Sequence, residues 1–347
     1  MPRQLTHPTP LRPGDKVAVL SPGWCAPAHF PEVHAQALQR VRDVLGLEPI
    51  EFPTTRRQGT AQERAADVNA AFADESIRGI LATIGGDDQI TILRHLDPAV
   101  AQRDPKPFAG YSDNTNLLNW LWFHGVAGVH GGSTQVHLGP GPRVDEPHLE
   151  TLRAALFGGE VELRPMERTR DGGIDWADPR ALTDVPEDQP AEPWTWSGPA
   201  QVVSAPTWGG NLEILQWSLA AGRWILPNEA YAGCVLMLET SEELPPPVEV
   251  YRMLRNMGER GLLEVFPALV WARPMASHGE VRRQPDEARA WRVAHRDAVL
   301  RAVREYNPEM VVVLDVDFGH TSPQSVLPYG GRLTVDAEQR KIIAHFG

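Results

Sequence analysis

Residues 107–133 read PFAGYSDNTNLLNWLWFHGVAGVHGGS, and this stretch decides the fold. Pro107 to Tyr111 is a short apolar run that enters Ser112. Asn114 to Phe123 is Leu- and Trp-rich at helical spacing. Val126 to His130 is a second apolar run, closed by Gly131-Gly132-Ser133. Strand, helix, strand at this spacing predicts a parallel crossover unit. The pattern extends upstream. Lys16 to Ser21 is a strand ending in Pro22-Gly23, Val33 to Leu45 and 61–73 are helices, and Gly79 to Ile84 is a strand ending in Gly85-Gly86-Asp87-Asp88. We expect an α/β protein whose N-terminal domain, residues 1–160, is a parallel sheet of the flavodoxin or Rossmann kind with helices on its faces. Ligands bind such sheets at the carboxyl ends of the strands, where the small polar residues and glycines collect here.

Residues 161–199 break the pattern. They are rich in Pro, Asp, Glu and Gly and carry Trp176, Trp194 and Trp196. We read them as a connecting segment or a long functional loop. From residue 200 to 347 the alternation resumes as a smaller C-terminal α/β domain with a mixed sheet. Trp208-Gly-Gly-Asn211 reads as a turn opening a helix to about Ala221. Cys234 to Leu238 is a buried-type strand ending in Glu239, Val248 to Met257 is a helix, and Ala268 to Ala272 is a strand. Residues 286–305 form a long helix, Met310 to Val316 is a strand running to His320, and the end alternates like a terminal hairpin.

Composition narrows the function classes. Hydrophobic residues at 42% and charged residues at 22% fit a globular chain rather than a disordered one. A net charge of -12 argues against binding polymeric nucleic acid or an anionic membrane, because both demand a basic face. Cys25 and Cys234 stand in no CxxC pattern, so neither a disulfide framework nor a zinc ribbon is expected. The N-terminus has no apolar stretch before its first strand, and no run of about 18 apolar residues occurs. A cytoplasmic setting is the expectation.

Three chemistry-bearing side chains stand at predicted strand ends. Ser112 lies between strand and helix, where backbone N–H groups can hold an oxyanion. This is the logic of a nucleophile elbow, but Asn114 breaks the GxSxG pattern, and a helix N-cap is the plain alternative. Glu239 leaves a buried strand and needs a partner, through catalysis or an ordinary ion pair. His320 follows Gly319, which lets the backbone turn sharply; alone it reads as an ordinary hydrogen-bonded histidine. Serine is a weak nucleophile without a base, and the base needs a third group to hold its tautomer. Ser112, His320 and Glu239 supply those three roles. Gly85 and Gly86 form either a tight turn or, with the N–H of Asp113, an oxyanion hole. Asp315 and Asp317 invite a metal, but they lack a third ligand at useful spacing, so no metal or other cofactor is expected.

Gly110-Tyr-Ser112-Asp, Trp208-Gly-Gly-Asn211-Leu, Leu238-Glu239 and Asp317-Phe-Gly-His320-Thr together resemble the LD-carboxypeptidase family of serine peptidases. Lys16 to Pro22, after Leu11-Arg-Pro-Gly14, is similar to its opening strand, and Thr83-Ile-Gly-Gly86 to its oxyanion turn. The resemblance implies two domains with the site between them, Ser112 as nucleophile, His320 as base, Glu239 as its orienting acid, and the N–H groups of Gly86 and Asp113 as oxyanion donors. It also implies a homodimer that needs no metal. Two branches differ in substrate. One trims a terminal D-alanine from cell-wall muropeptides. The other, similar to the microcin C immunity protein, cleaves the amide between an acidic amino acid and a nucleotide, and so detoxifies a peptide-nucleotide antibiotic. Residues 186–198, PEDQPAEPWTWSG, resemble the added loop of the second branch, which presents a tryptophan to a nucleobase, so Trp194 or Trp196 is the expected stacking residue. Glu239-Thr-Ser-Glu242 also resembles that branch. Gly85 and Asn211 complete the expected substrate contacts.

Overall fold

The computed structural model describes residues 3–347. Two sheets organise them. The first has six strands in the order Leu327–Tyr329, Gly128–His130, Phe108–Gly110, Ile77–Ala82, Lys16–Leu20 and Glu48–Glu51. All pair in parallel except Leu327–Tyr329, which lies antiparallel against Gly128–His130. The five strands from the N-terminal half carry almost entirely buried side chains apart from the outer Glu48–Glu51, as sheets covered on both faces do. Strand order reverses between Lys16–Leu20 and Ile77–Ala82. That switch point opens a crevice at the strand ends, and Gly85-Gly86 lies on it.

The second sheet has eight strands, ordered Gly159–Leu163, Lys341–Phe346, Arg332–Asp336, Val202–Asn211, Val235–Glu239, Ala268–Ala272, Val311–Val316 and Thr195–Ser197. Its middle four are parallel and its flanks antiparallel, so the sheet is mixed. The terminal hairpin forms as expected from Arg332–Asp336 and Lys341–Phe346. Leu327–Tyr329, just before it, crosses to the first sheet instead.

Two readings of the sequence change. Trp208-Gly-Gly-Asn211 is no turn: it is the last part of the ten-residue strand Val202–Asn211, paired in register with Val235–Glu239 so that Asn211 stands opposite Glu239. The turn chemistry suggested by Gly-Gly is real only at its end, where Asn211 caps the helix Leu212–Ala221 by accepting from Ile214 N–H at 3.0 Å. Residues 161–199 also contain strand. Arg168–Thr169 pairs with Gln189–Pro190, and Thr195–Ser197 forms an edge of the second sheet.

The helix Thr115–Phe123 joins the two sheets. Its Trp122 stacks on Tyr231 at 4.9 Å, Tyr231 packs on Trp208 at 4.4 Å, and the Trp208 indole N–H donates to Asn119 at 3.0 Å. All three rings are fully buried, so the Trp-rich sequence of that helix buys a rigid joint between the halves. Among the described residues no helix is long and apolar enough to cross a membrane.

Asp315 and Asp317 are both fully buried and each is claimed by arginine. Asp317 pairs with Arg273 at 2.9 Å and accepts from the Trp194 indole N–H at 3.0 Å; Asp315 lies 3.2 Å from Arg296. Removing one partner of a buried pair leaves the other charge without compensation. Arg273→Met is therefore expected to lose about 3–5 kcal/mol of stability in urea unfolding. A loss within about 1 kcal/mol, the range of an exposed pair, would show that Asp317 is held by other means.

Candidate active site

Ser112 sits where the strand Phe108–Gly110 turns into the helix Thr115–Phe123. Its φ is 62°, a left-handed conformation that costs a non-glycine residue of order 1–3 kcal/mol. Four polar side chains, Asn114, Gln89, Asp113 and Asn116, hold the elbow in place. Asn114 donates to Ile84 O and Tyr111 O, each at 3.0 Å, and accepts from Gln89 at 2.7 Å. Asp113 accepts from Gln89 N–H at 3.0 Å and from Asn116 at 2.8 Å. The elbow is thus tied to the turn that follows Ile77–Ala82. Asn114, which breaks the GxSxG pattern, is one of the ties. Burial raises the Asp113 carboxyl to about 6, with Gln89 and Asn116 opposing the rise.

Gly85 lies directly against the serine. A Cβ there would stand 2.9 Å from Ser112 Oγ and 3.1 Å from Asp113 N, so only glycine leaves the gap beside the hydroxyl open. Gly86 follows on the same turn. Trp24 closes its other side, with its backbone N–H donating to Gly85 O at 2.8 Å.

The second sheet supplies the acid and the imidazole. Glu239 ends the strand Val235–Glu239 and is fully buried. His320 Nδ1 lies 2.6 Å from Glu239 Oε2. Gly319 makes that approach possible: the chain bends at 319–321, as expected, and the space beside the glycine is tight. A Cβ at 319 would lie 2.9 Å from Ala272 Cβ and 3.1 Å from Glu239 Cβ, so the glycine is needed for closeness. Burial alone would lower the imidazole. Glu239 and then Glu242 overrule it and hold His320 well above its ordinary value. Glu242 Oε2 stands 3.1 Å from His320 Nε2. No hydrogen bond joins Ser112 Oγ to His320 among the described residues. The two elements meet through Tyr111, whose ring packs on His320 at 4.9 Å. Asn211 offers a fully buried Nδ2 with no partner, in register with Glu239.

Trp194 and Trp196 are committed to packing. Trp194 is 8% exposed with its indole N–H on Asp317, and Trp196 is partly buried in the strand Thr195–Ser197 against Val313. Trp176, also from the 161–199 segment, belongs to a run of rings that leads to Trp24. It meets Phe30 edge-on at 5.4 Å, and Phe30 meets Trp24 at 6.2 Å. Trp24 is 38% exposed, so these rings form an aromatic ledge beside Gly85-Gly86. The signal was available in part: Trp176 stood in a Pro- and Gly-rich segment with no periodicity to bury it. Its partner rings near residue 30 gave no such sign.

Sequence reasoning also missed a buried histidine group. His130 and His137 pack against Tyr111 at 6.2 and 5.4 Å, and His148 stacks on His137 at 4.3 Å. Burial lowers His130 and His148 to about 4, and holds His137 well below its ordinary value. They stay neutral near pH 7 and leave His320 as the charged imidazole of the site. No spacing in the sequence marks them, because they come from separate elements.

Residues 17–131 match the LD-carboxypeptidase N-terminal domain, and residues 204–335 match the LD-carboxypeptidase C-terminal domain. The chain is 26% identical over 292 residues to the microcin C7 self-immunity protein MccF of Escherichia coli, covering 82% of this chain and 79% of MccF. The structure of apo MccF superposes with a TM-score of 0.83 at 20% identity over 99% of both chains. An MccF-like protein from Streptococcus pneumoniae, solved in complex with AMP, gives a TM-score of 0.83 at 24% identity over 96% of this chain and 99% of that one. MccF has also been solved in complex with aspartyl sulfamoyl adenosine. Both halves match in order and over most of the length: the chain belongs to the LD-carboxypeptidase family, a family of serine peptidases.

Proposed function

We infer that the protein is a serine amide hydrolase whose substrate is an aminoacyl- or peptidyl-nucleotide, with Ser112 as nucleophile, His320 as base and Glu239 as the group that orients it. The observation that supports this most is the buried 2.6 Å contact between Glu239 and His320 Nδ1, on a ring that packs against Tyr111, the residue before a serine held at positive φ. With Nδ1–H donated to Glu239, the neutral ring presents Nε2 as acceptor. Ser112 Oγ attacks the substrate carbonyl and its proton passes to Nε2. The backbone N–H groups of Gly86 and Asp113 receive the oxyanion, a term worth about 3–4 kcal/mol per donor. The imidazolium then protonates the leaving nitrogen, the amide bond breaks, and water hydrolyses the acyl-enzyme by the same route in reverse. The nucleophile comes from the domain of residues 1–160, and the acid and base from that of residues 200–347.

Two observations favour a nucleotide over a muropeptide. Among the matched structures, MccF is bound to aspartyl sulfamoyl adenosine and its Streptococcus pneumoniae counterpart to AMP. The Trp24, Phe30 and Trp176 rings put an aromatic ledge beside the glycine turn, where a base can stack. We assign stacking to Trp176, since Trp194 is engaged by Asp317. Asn211 Nδ2 is free to contact the aminoacyl part. In this reading the protein acts in the cytoplasm as a homodimer and protects its host from a peptide-nucleotide antibiotic.

Purified protein given an aspartyl-adenylate phosphoramidate and, separately, a cell-wall tetrapeptide is expected to release aspartate from the first, as read by mass. Release of D-alanine from the second alone would favour the cell-wall branch. Ser112→Ala is expected to lower kcat roughly 10⁴- to 10⁶-fold with thermal unfolding unchanged; wild-type turnover in that variant would remove the serine mechanism. Trp176→Ala is expected to lower kcat/KM for the nucleotide substrate roughly 5- to 150-fold, as the loss of one stacked base contact does, mainly through KM. An equal loss on a substrate without a base would show that Trp176 acts structurally.

A further inference from the structure

Both ring nitrogens of His320 face carboxylates. Nδ1 is taken by Glu239. Nε2, the atom that must receive the serine proton, faces Glu242 Oε2 at 3.1 Å. The approach is close but not aligned as a hydrogen bond, and both atoms are buried with no other partner. The rest of Glu242 is far from enclosed: its side chain is 44% exposed, so only its tip turns inward. The backbone beneath is pinned. Ser241 N–H and Oγ donate to Glu213 Oε1 at 2.9 and 2.7 Å, and Glu213 sits on the neighbouring helix Leu212–Ala221. A fixed backbone under a half-exposed side chain leaves side-chain rotation as the motion available to Glu242.

We propose that Glu242 is a latch on the general base: in the free protein its carboxylate occupies the Nε2 side of His320, and Ser112 gains that nitrogen only when Glu242 turns out toward solvent. The proposal rests on the assignment of His320 as base. The groups that face His320 are Glu239 at the end of its strand, Glu242 on the loop after it, and Tyr111, His130 and His137 from the first half of the chain. The last three are neutral, so it is the two carboxylates that hold the charge on the ring against the opposing effect of burial. His278 adds a weak attraction for Glu242. With both carboxylates in place the ring is an imidazolium and cannot accept a proton. Opening the latch transfers one proton from Nε2 to solvent water, and no other bond is made or broken. Glu239 keeps Nδ1 throughout, so the ring stays oriented while its other nitrogen is released. Access to the base is thereby coupled to whatever displaces Glu242 from the site.

The test follows the His320 ring through pH by NMR in the full-length protein, with the signal assigned by its loss in His320→Gln. Wild type, Glu242→Gln and Glu242→Asp are compared. The account expects the midpoint to fall by at least one pH unit in Glu242→Gln, a tenfold weaker proton affinity, with Glu242→Asp between the two. An unchanged midpoint in Glu242→Gln overturns the latch. A second readout is the rate at which a fluorophosphonate modifies Ser112. Its acid limb is expected to move to lower pH in Glu242→Gln by the same interval, whereas a purely structural role would lower the rate at every pH without moving the limb. If the serine mechanism itself were wrong, Ser112 would resist the probe in every variant, while the NMR midpoints would still decide whether Glu242 holds His320.

Discussion

The contact between Glu239 and His320 is the constraint around which the site is arranged. A fully buried carboxylate is costly unless a partner and hydrogen bonds compensate it. Here the partner is an imidazole 2.6 Å away, and the rest of the local structure serves to bring it there. The strand Val235–Glu239 ends at the acid, and its neighbour Val202–Asn211 ends in register beside it. Ala272, at the end of the next strand, leaves room for Gly319 to pass. The ring arrives over three strand ends at a height fixed by glycine, with its tautomer set by the acid beneath.

The serine is placed by a different sheet, so the chemistry depends on how firmly the two sheets are joined. Several features fix that joint. The helix that begins just after Ser112 carries Trp122 into the Tyr231 and Trp208 cluster of the second half. Thr115, in its first turn, accepts from Asn211 N–H at 3.0 Å. Tyr111 packs on His320 with the rings tilted, and Leu327–Tyr329 returns from the second half to the edge of the first sheet. Contacts of this kind, buried and aromatic, do not slide continuously, because close-packed interiors resist small displacements. Motion at the site is then left to side chains.

Much of this was legible in the sequence, and the reasons are specific. The parallel strands of the first half announce themselves as apolar runs that stop at glycine and small polar residues, and that same punctuation exposed Ser112, Glu239 and His320. Trp208-Gly-Gly-Asn211 misled because two glycines read locally as a turn, while in the fold they lie in a strand pressed against Val235–Glu239. Trp194 entered as a stacking candidate only through the resemblance of residues 186–198 to a family loop; in the fold it is buried, and an aspartate 123 residues away accepts from its indole N–H. The pairing of Asp317 with Arg273, the histidines behind Tyr111 and the approach of Glu242 to His320 are long-range meetings of separate elements. Residue spacing carries no trace of them.

The central claim is that an acyl group passes through Ser112. It is tested most directly by mixing the protein with a chromogenic aspartyl ester, quenching with acid during turnover and mapping the acyl group by peptide mass. The account predicts an aspartyl adduct on the peptide that contains Ser112, present during turnover and absent once the ester is exhausted. An adduct carried by another residue, or steady turnover with no acylated peptide under conditions that trap a reference serine hydrolase, would contradict it.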